Sequence, residues 1–379
     1  MSRAREFADL ASSADSGGIA GKNLLDNAGF LVAQKGTSFS ITNPNTPLRG
    51  LDRWTYRRSG TFASVRFTVS QSTGPSAGNL PHAMKIETTT VEGNNPNDNE
   101  GIAFAQAIER QDIEHIGFGT NTCKPLTMSF YVKSSITGTF YCAVYVATHA
   151  KVVHKPYTVS SANTWEYKTV TFPVLTSGTA NSVADNAIGA HIYWVIDSVA
   201  HASGTAGSYR DTGGADNNPI FPPSGTSSTG FVNTSNATFE ISGCKLEVGE
   251  QATPFEHRSY ADELARCHRY FQGQGTTAAA LDAGGNTKQS AIFFNDKVEA
   301  TGSSTYHRLQ VPMQTRMRSA PTVYVSDNNG TLGKAYYNGA NATVTTYIAT
   351  ETTVVLRPRA AGTSTGTDIW INYSLESEL

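Results

Sequence analysis

A chain of 379 residues has room for two domains, and its net charge of −2 carries no electrostatic footprint for nucleic acid or an anionic membrane. Charged residues make up only 16%, while 34 glycines accompany 16 tyrosines and 17 phenylalanines, a mixture that suits many short strands joined by polar turns. No secretory leader is expected, because no apolar run follows Arg3 and Arg5, and no stretch approaches the roughly 18 apolar residues of a membrane span.

Residues 1–20 read as a separate piece. Residues 3–14 can form a short helix with Phe7, Leu10 and Ala14 on one face, ended by Gly17 and Gly18. So short a helix is marginal alone. It is expected to dock on a partner, with a frayed terminus as the alternative.

From 21 to 257 the pattern is strand after strand. In 140–146, Phe140, Cys142, Val144 and Val146 alternate with Tyr141, Ala143 and Tyr145, and Gly138 supplies the turn before them. Residues 126–133, 166–172, 188–196 and 238–248 follow the same logic. Strands separated in this way predict a β-sandwich, with a jelly roll as the topology. Residues 197–236, rich in Gly, Ser, Thr, Asn and Pro, interrupt the rhythm. They are read as an ordered excursion covering a neighbouring subunit or presenting a contact surface, with disorder as the alternative.

Residues 258–275 predict a connector helix, capped by Ser259 and carrying Tyr260, Leu264, Cys267 and Phe271 on one face. A second set of strands follows in 276–379, at 290–295, 306–311, 321–326, 343–348, 352–357 and 368–375, and predicts a smaller C-terminal β-sandwich. The cysteines Cys123, Cys142, Cys244 and Cys267 lack metal-type spacing. Cys142 and Cys244 lie in apolar strand patterns and read as small buried thiols.

The order Asn23-Leu24-Leu25-Asp26-Asn27-Ala28-Gly29-Phe30, Gln34-Lys35-Gly36-Thr37-Ser38-Phe39, then Leu51-Asp52-Arg53-Trp54, resembles the opening of a jelly-roll module of phage tail fibres. Thr164-Trp165-Glu166-Tyr167 and residues 241–258, followed directly by the helix, match in order. Met313, Met317-Arg318-Ser319-Ala320-Pro321 and the acidic-leucine ending 373–379 resemble fibre C-terminal domains. Cys244 departs from the family, which has an aliphatic residue there, and the 197–236 insertion has no counterpart. The resemblance implies that 23–30 form the first strand and that Trp54 and Trp165 are core residues. It further implies a virion structural protein, homotrimeric, assembled in the bacterial cytoplasm, whose module resembles carbohydrate-binding modules. The start Met1-Ser2-Arg3-Ala4-Arg5 resembles a virion-attachment segment, so Arg3, Arg5, Phe7 and Leu10 are the candidate contacts to other tail or capsid proteins.

A glycan site needs flat aromatic faces and planar hydrogen-bonding groups. If Phe140 and Trp194 face the core, then Tyr141, Tyr145, His191 and Tyr193 share the opposite sheet surface. The alternative is that this face packs on another subunit of a trimer. No cofactor is expected except that modules of this kind carry a structural calcium. Asp26, Asn27 and Glu247 are oxygen donors of the right type, but ordinary turn hydrogen bonding accounts for them equally well. Histidine pairs at metal spacing, a nucleophile elbow and a phosphate-binding loop are absent from the sequence. The acidic clusters Asp98/Glu100 and Glu109/Asp112/Glu114 read as solvated loop residues rather than a glycosidase pair. The expectation is therefore a non-enzymatic tail-fibre-type subunit contacting host-surface glycan. The rival readings are a purely structural head-decoration, collar or baseplate subunit, and a capsular polysaccharide depolymerase.

Overall fold

A computed structural model of the chain describes residues 21–43, 48–93, 100–198, 204–212, 218–223, 228–274, 298–301, 304–327, 331–337, 340–361 and 369–378. Arg3, Arg5, Phe7, Leu10, Asp98 and the predicted strand 290–295 lie outside the described residues. Two compact units are present, one holding residues up to Leu31 and Ser38–Ser259, the other Val32–Thr37 and Tyr260–Glu378.

The first unit is built from antiparallel strands: β1 (Ser38–Ile41), β2 (Leu48–Arg49), β3 (Thr55–Ser59), β4 (Arg66–Thr73), β5 (His82–Thr90), β6 (Gly101–Glu109), β7 (Leu126–Ser134), β8 (Gly138–Val146), β9 (Lys151–Val159), β10 (Glu166–Phe172), β11 (Ile188–Ser198), β12 (Arg210–Asp211) and β13 (Thr238–Val248). A six-stranded sheet runs β1-β4-β5-β13-β7-β10 and a seven-stranded sheet runs β12-β9-β8-β11-β6-β3-β2. The chain crosses repeatedly between them, as a jelly-roll sandwich requires. Period-two alternation sends the apolar residues of both sheets inward. Phe130 of β7 meets Trp194 of β11 edge-on at 5.8 Å, and Phe239 of β13 lies 5.4 Å from Phe140 of β8. Trp54, fully buried, packs between Phe30 and Trp194 at 4.9 and 5.2 Å. Its indole N–H donates to the carbonyls of Asp26 and Asn27, so the buried polar edge is satisfied. Cys142 and Cys244 are wholly buried, and all four cysteines are free thiols.

Two details depart from the expected core. Residues 23–30 form no strand. They dock on a bulge of β13 instead, where the register shifts between Ser242 and Lys245. There the Asn23 side chain donates to Cys244 O at 2.9 Å and accepts from Leu246 N at 3.0 Å, while Cys244 N donates to Ala28 O at 3.0 Å. Asn27 and Phe30 have positive φ, which a continuous strand does not allow. Trp165, in turn, is not a core residue. Val170 and Phe172 of β10 point inward, so alternation carries Trp165 and Tyr167 outward, where Lys133 Nζ sits 5.0 Å from the Trp165 ring.

The 197–236 excursion packs on its own unit wherever it is described. Asp197 is buried and accepts from Ser228 Oγ at 2.6 Å and from the amides of Thr229 and Val232 at 3.0 Å each. Ile220, Phe221, Phe231 and Val232 are buried, and β12 extends the seven-stranded sheet.

In the second unit the helix covers Tyr260–His268 and gives way to a strand at Phe271–Gln274, shorter than the predicted helix. Its buried residues are Glu263 and Cys267, whereas Tyr260 is exposed, so the helix is rotated from the expected face. Phe271–Gln274, Asn372–Glu376 and Thr322–Ser326 make a three-stranded sheet beside a larger one, around Leu309, Val311, Met317, Val354, Leu356 and Leu375. Val32–Thr37, read from the sequence with the first domain, belongs here. Lys35 is buried with Nζ 2.8 Å from Glu378 and 3.5 Å from Glu376, over the Phe271 ring.

Candidate functional site

The outer face of the seven-stranded sheet is ordered by its register. Arg210, Val152, Tyr145, His191 and Ala107 stand side by side on β12, β9, β8, β11 and β6. The next row holds His154, Ala143, Tyr193, Ala105 and Thr55, and the third Pro156, Tyr141, Val195, Ala103 and Arg57. All four aromatic and histidine residues expected on one face are thus together.

Three of them form a continuous stack. Tyr145 and His191 are 6.1 Å apart at 10°, and His191 and Tyr193 are 5.7 Å apart at 25°. The strands dictate this arrangement, because directly opposed and i, i+2 positions on one face lie within ring-contact distance. The exposures are unequal, however. His191 and Tyr193 are 6% and 5% exposed, while Tyr141 and Tyr145 are half-buried. Any ligand therefore meets Tyr141 and Tyr145, with His191 and Tyr193 as the layer beneath. His191 Nδ1 is buried and has no hydrogen bond. Burial, reinforced by the Arg57 charge, pushes the His191 pKa down to about 3 and leaves the ring neutral. Burial likewise pushes the Tyr193 hydroxyl far up.

Ala103, Ala105 and Ala107 give β6 no bulk on this face. Ala103 and Ala105 form an apolar cluster with Ala143, Val152, Tyr193, Val195 and Ile220, against which Tyr141 and Tyr145 pack. At the Tyr141 end a small cavity is lined by Thr139, Val195, Asp197, Pro222 and Thr229. Arg57, His154 and Arg210 complete the face. None of these three was singled out from sequence, although the alternation that places Tyr145 on this face also places His154 and Arg57 there once the strand order is known.

The candidate calcium ligands do not fit a cation. Asp26 faces two guanidinium groups, Arg53 Nε at 3.3 Å and Arg258 Nη1 at 4.0 Å. Asn27 donates its amide to Asp52 O at 2.9 Å. Glu247 accepts from Thr253 N at 2.7 Å and Thr253 Oγ1 at 2.6 Å, and Lys245 Nζ lies 3.2 Å away. The carboxylates are already neutralised, and among the described residues no three His, Cys, Asp or Glu are grouped as a metal site needs. Of the acidic clusters read as solvated loop residues, Glu100 and Glu109 are instead buried, Glu109 at the end of β6 accepting from Gln111 Nε2 at 2.8 Å, while Glu114 pairs with Arg110 at 2.9 Å.

No family model and no curated protein matches the chain. Solved structures similar to it include the enzymatically active domain of tailspike protein 4 from bacteriophage CBA120, at 13% identity and a TM-score of 0.31, covering 60% of this chain and 21% of that one. The family 11 carbohydrate-binding module of a cellulosomal cellulase from Clostridium thermocellum is similar at 11% identity and a TM-score of 0.26, over 56% of this chain and 95% of that one. A xylan-binding domain from Paenibacillus barcinonensis is similar at 12% and 0.25, over 62% and 98%. At such values the likeness extends to neither ligand nor partner.

Proposed function

We propose that the chain is a tail-fibre-type virion subunit that binds host-surface glycan, without cleaving it, on the outer face of the seven-stranded sheet. The observation that carries the reading is the half-buried pair Tyr141 and Tyr145 on one face, backed by the stacked rings of His191 and Tyr193. Sugar rings bind to flat aromatic faces edged by groups that can both donate and accept, and a tyrosine hydroxyl does both. The virion role and the trimer rest on the sequence resemblance in 23–54 and 241–271. A trimer would turn weak single contacts into avidity.

Tyr141→Ala and Tyr145→Ala test the site. Both residues are half-buried, so folding should survive while binding of polysaccharide from a susceptible bacterial host weakens by about tenfold or more in each. Wild-type affinity in both variants would exclude this face. Loss of trimer together with unchanged binding would assign the face to subunit packing.

A further inference from the structure

The outer face of the six-stranded sheet carries aromatic rings at one edge. Tyr167 of the edge strand β10 is 49% exposed. Its register partner on β7 is Tyr131, and the two ring centroids lie 5.1 Å apart at 55°. Trp165 stands two residues from Tyr167 on the same face, roughly 7 Å along the chain.

Their surroundings hold these rings in place. The main chain of Gly78 lies against Tyr131, since a Cβ added there would be 3.1 Å from ring Cε2. Lys133 reaches over the Trp165 ring at 5.0 Å. Lys133 is itself held by Glu240 at 2.9 Å, and Glu240 accepts from Ser72 Oγ at 2.7 Å. Rings fixed before a ligand arrives lose little freedom on binding it.

Polar edges, charge and extent together select what covers the rings. Neither tyrosine hydroxyl nor the indole N–H makes a hydrogen bond among the described residues, so each can serve a ligand hydroxyl. The charges alongside are paired in place, Lys133 with Glu240 and Lys85 with Glu87 at 2.6 Å, and offer an ionic ligand no counter-ion. The row Lys133, Glu240, Lys85, Ser70 and Ser38 crosses the sheet without an apolar side chain. The three rings expose no more than about 300 Å² between them, against the roughly 800 Å² per partner of a stable protein interface. An uncharged saccharide has C–H faces that stack on rings and hydroxyls at its rim. A β-linked glucose chain, with its ring hydroxyls equatorial, presents the flattest such faces.

We infer that Tyr131, Tyr167 and Trp165 form a second saccharide site, on the face opposite the first, for a neutral β-linked glucan. This site is additional to the seven-stranded face and does not depend on it.

The test is calorimetric titration with cellohexaose of the full chain carrying Tyr141→Ala and Tyr145→Ala, which silence the first face. Saturable binding is expected, unchanged by added salt because the ligand is neutral. Adding Tyr167→Ala or Trp165→Ala should weaken it by about tenfold or more, whereas Trp165→Phe should keep most of it. Tyr167 is half exposed, so its variant should fold, and melting curves check the others. No binding, or binding indifferent to both Tyr167 and Trp165, would overturn the second site and leave the first to its own test. Failure of the first face would show separately, as undiminished affinity for host polysaccharide when Tyr141 and Tyr145 are replaced.

Discussion

His154 and His191 are held neutral in the fold, each with its pKa pushed down to about 3, by burial first and then by the charge of Arg210 or Arg57. In the unfolded chain both rings take up a proton below about pH 6.5. Their contribution to stability is thus complete above that pH and is lost as pH falls from about 6.5 towards 3. Melting temperature should drop steadily over this window, and His154→Gln should flatten the slope. A slope unchanged in that variant would remove His154 from the account. These roles were only partly legible in the sequence. Alternation put His191 with Tyr141, Tyr145 and Tyr193 on one face, but the burial of Tyr193 depends on Ile220 and on Ala103 and Ala105 of β6, which reach it from distant parts of the chain. Trp165 shows the reverse case. The inward parity of Val170 and Phe172 already turns it outward, and the family likeness obscured that signal.

At the level of elements, the bulge in β13 decides how the unit closes. Gly243 has φ +56°, and a Cβ there would lie 2.5 Å from Leu80 Cδ1. Gly243→Val should therefore destabilise the unit by about 2–5 kcal/mol, through backbone strain and overpacking, as read from a urea midpoint. An unchanged midpoint would mean that the strand passes Leu80 without the bulge. The strands themselves were legible because both sheets alternate cleanly, as β8 does with Phe140, Cys142, Val144 and Val146 inside. The bulge was not, since its trace is a single change of phase, from Phe239 and Ile241 to Cys244, Leu246 and Val248, within a strand too short to repeat it. Residues 23–30 were mistaken for a strand on the same account: their partner is that bulge, held by the Asn23 side chain together with the main-chain bond from Cys244 N to Ala28 O.

For the whole molecule, the arginines around Asp26 and the Thr253 bonds to Glu247 predict that neither EDTA nor added calcium shifts the melting temperature. A rise of several degrees with calcium would show a cation site elsewhere in the chain. The all-β sandwich was readable from alternation and turn residues, while the grouping of Val32–Thr37 with the second unit was not. It depends on Lys35 meeting Glu376 and Glu378, more than three hundred residues away in sequence. The proposed function turns on one face of one sheet. The most direct measurement is a titration of the purified chain with polysaccharide from bacteria that a particle carrying it infects, followed by sizing of the recovered sugar. Saturable binding with the sugar's length unchanged is the predicted result. Shortened sugar, or no binding to any such polysaccharide, would contradict a glycan-binding, non-hydrolysing subunit.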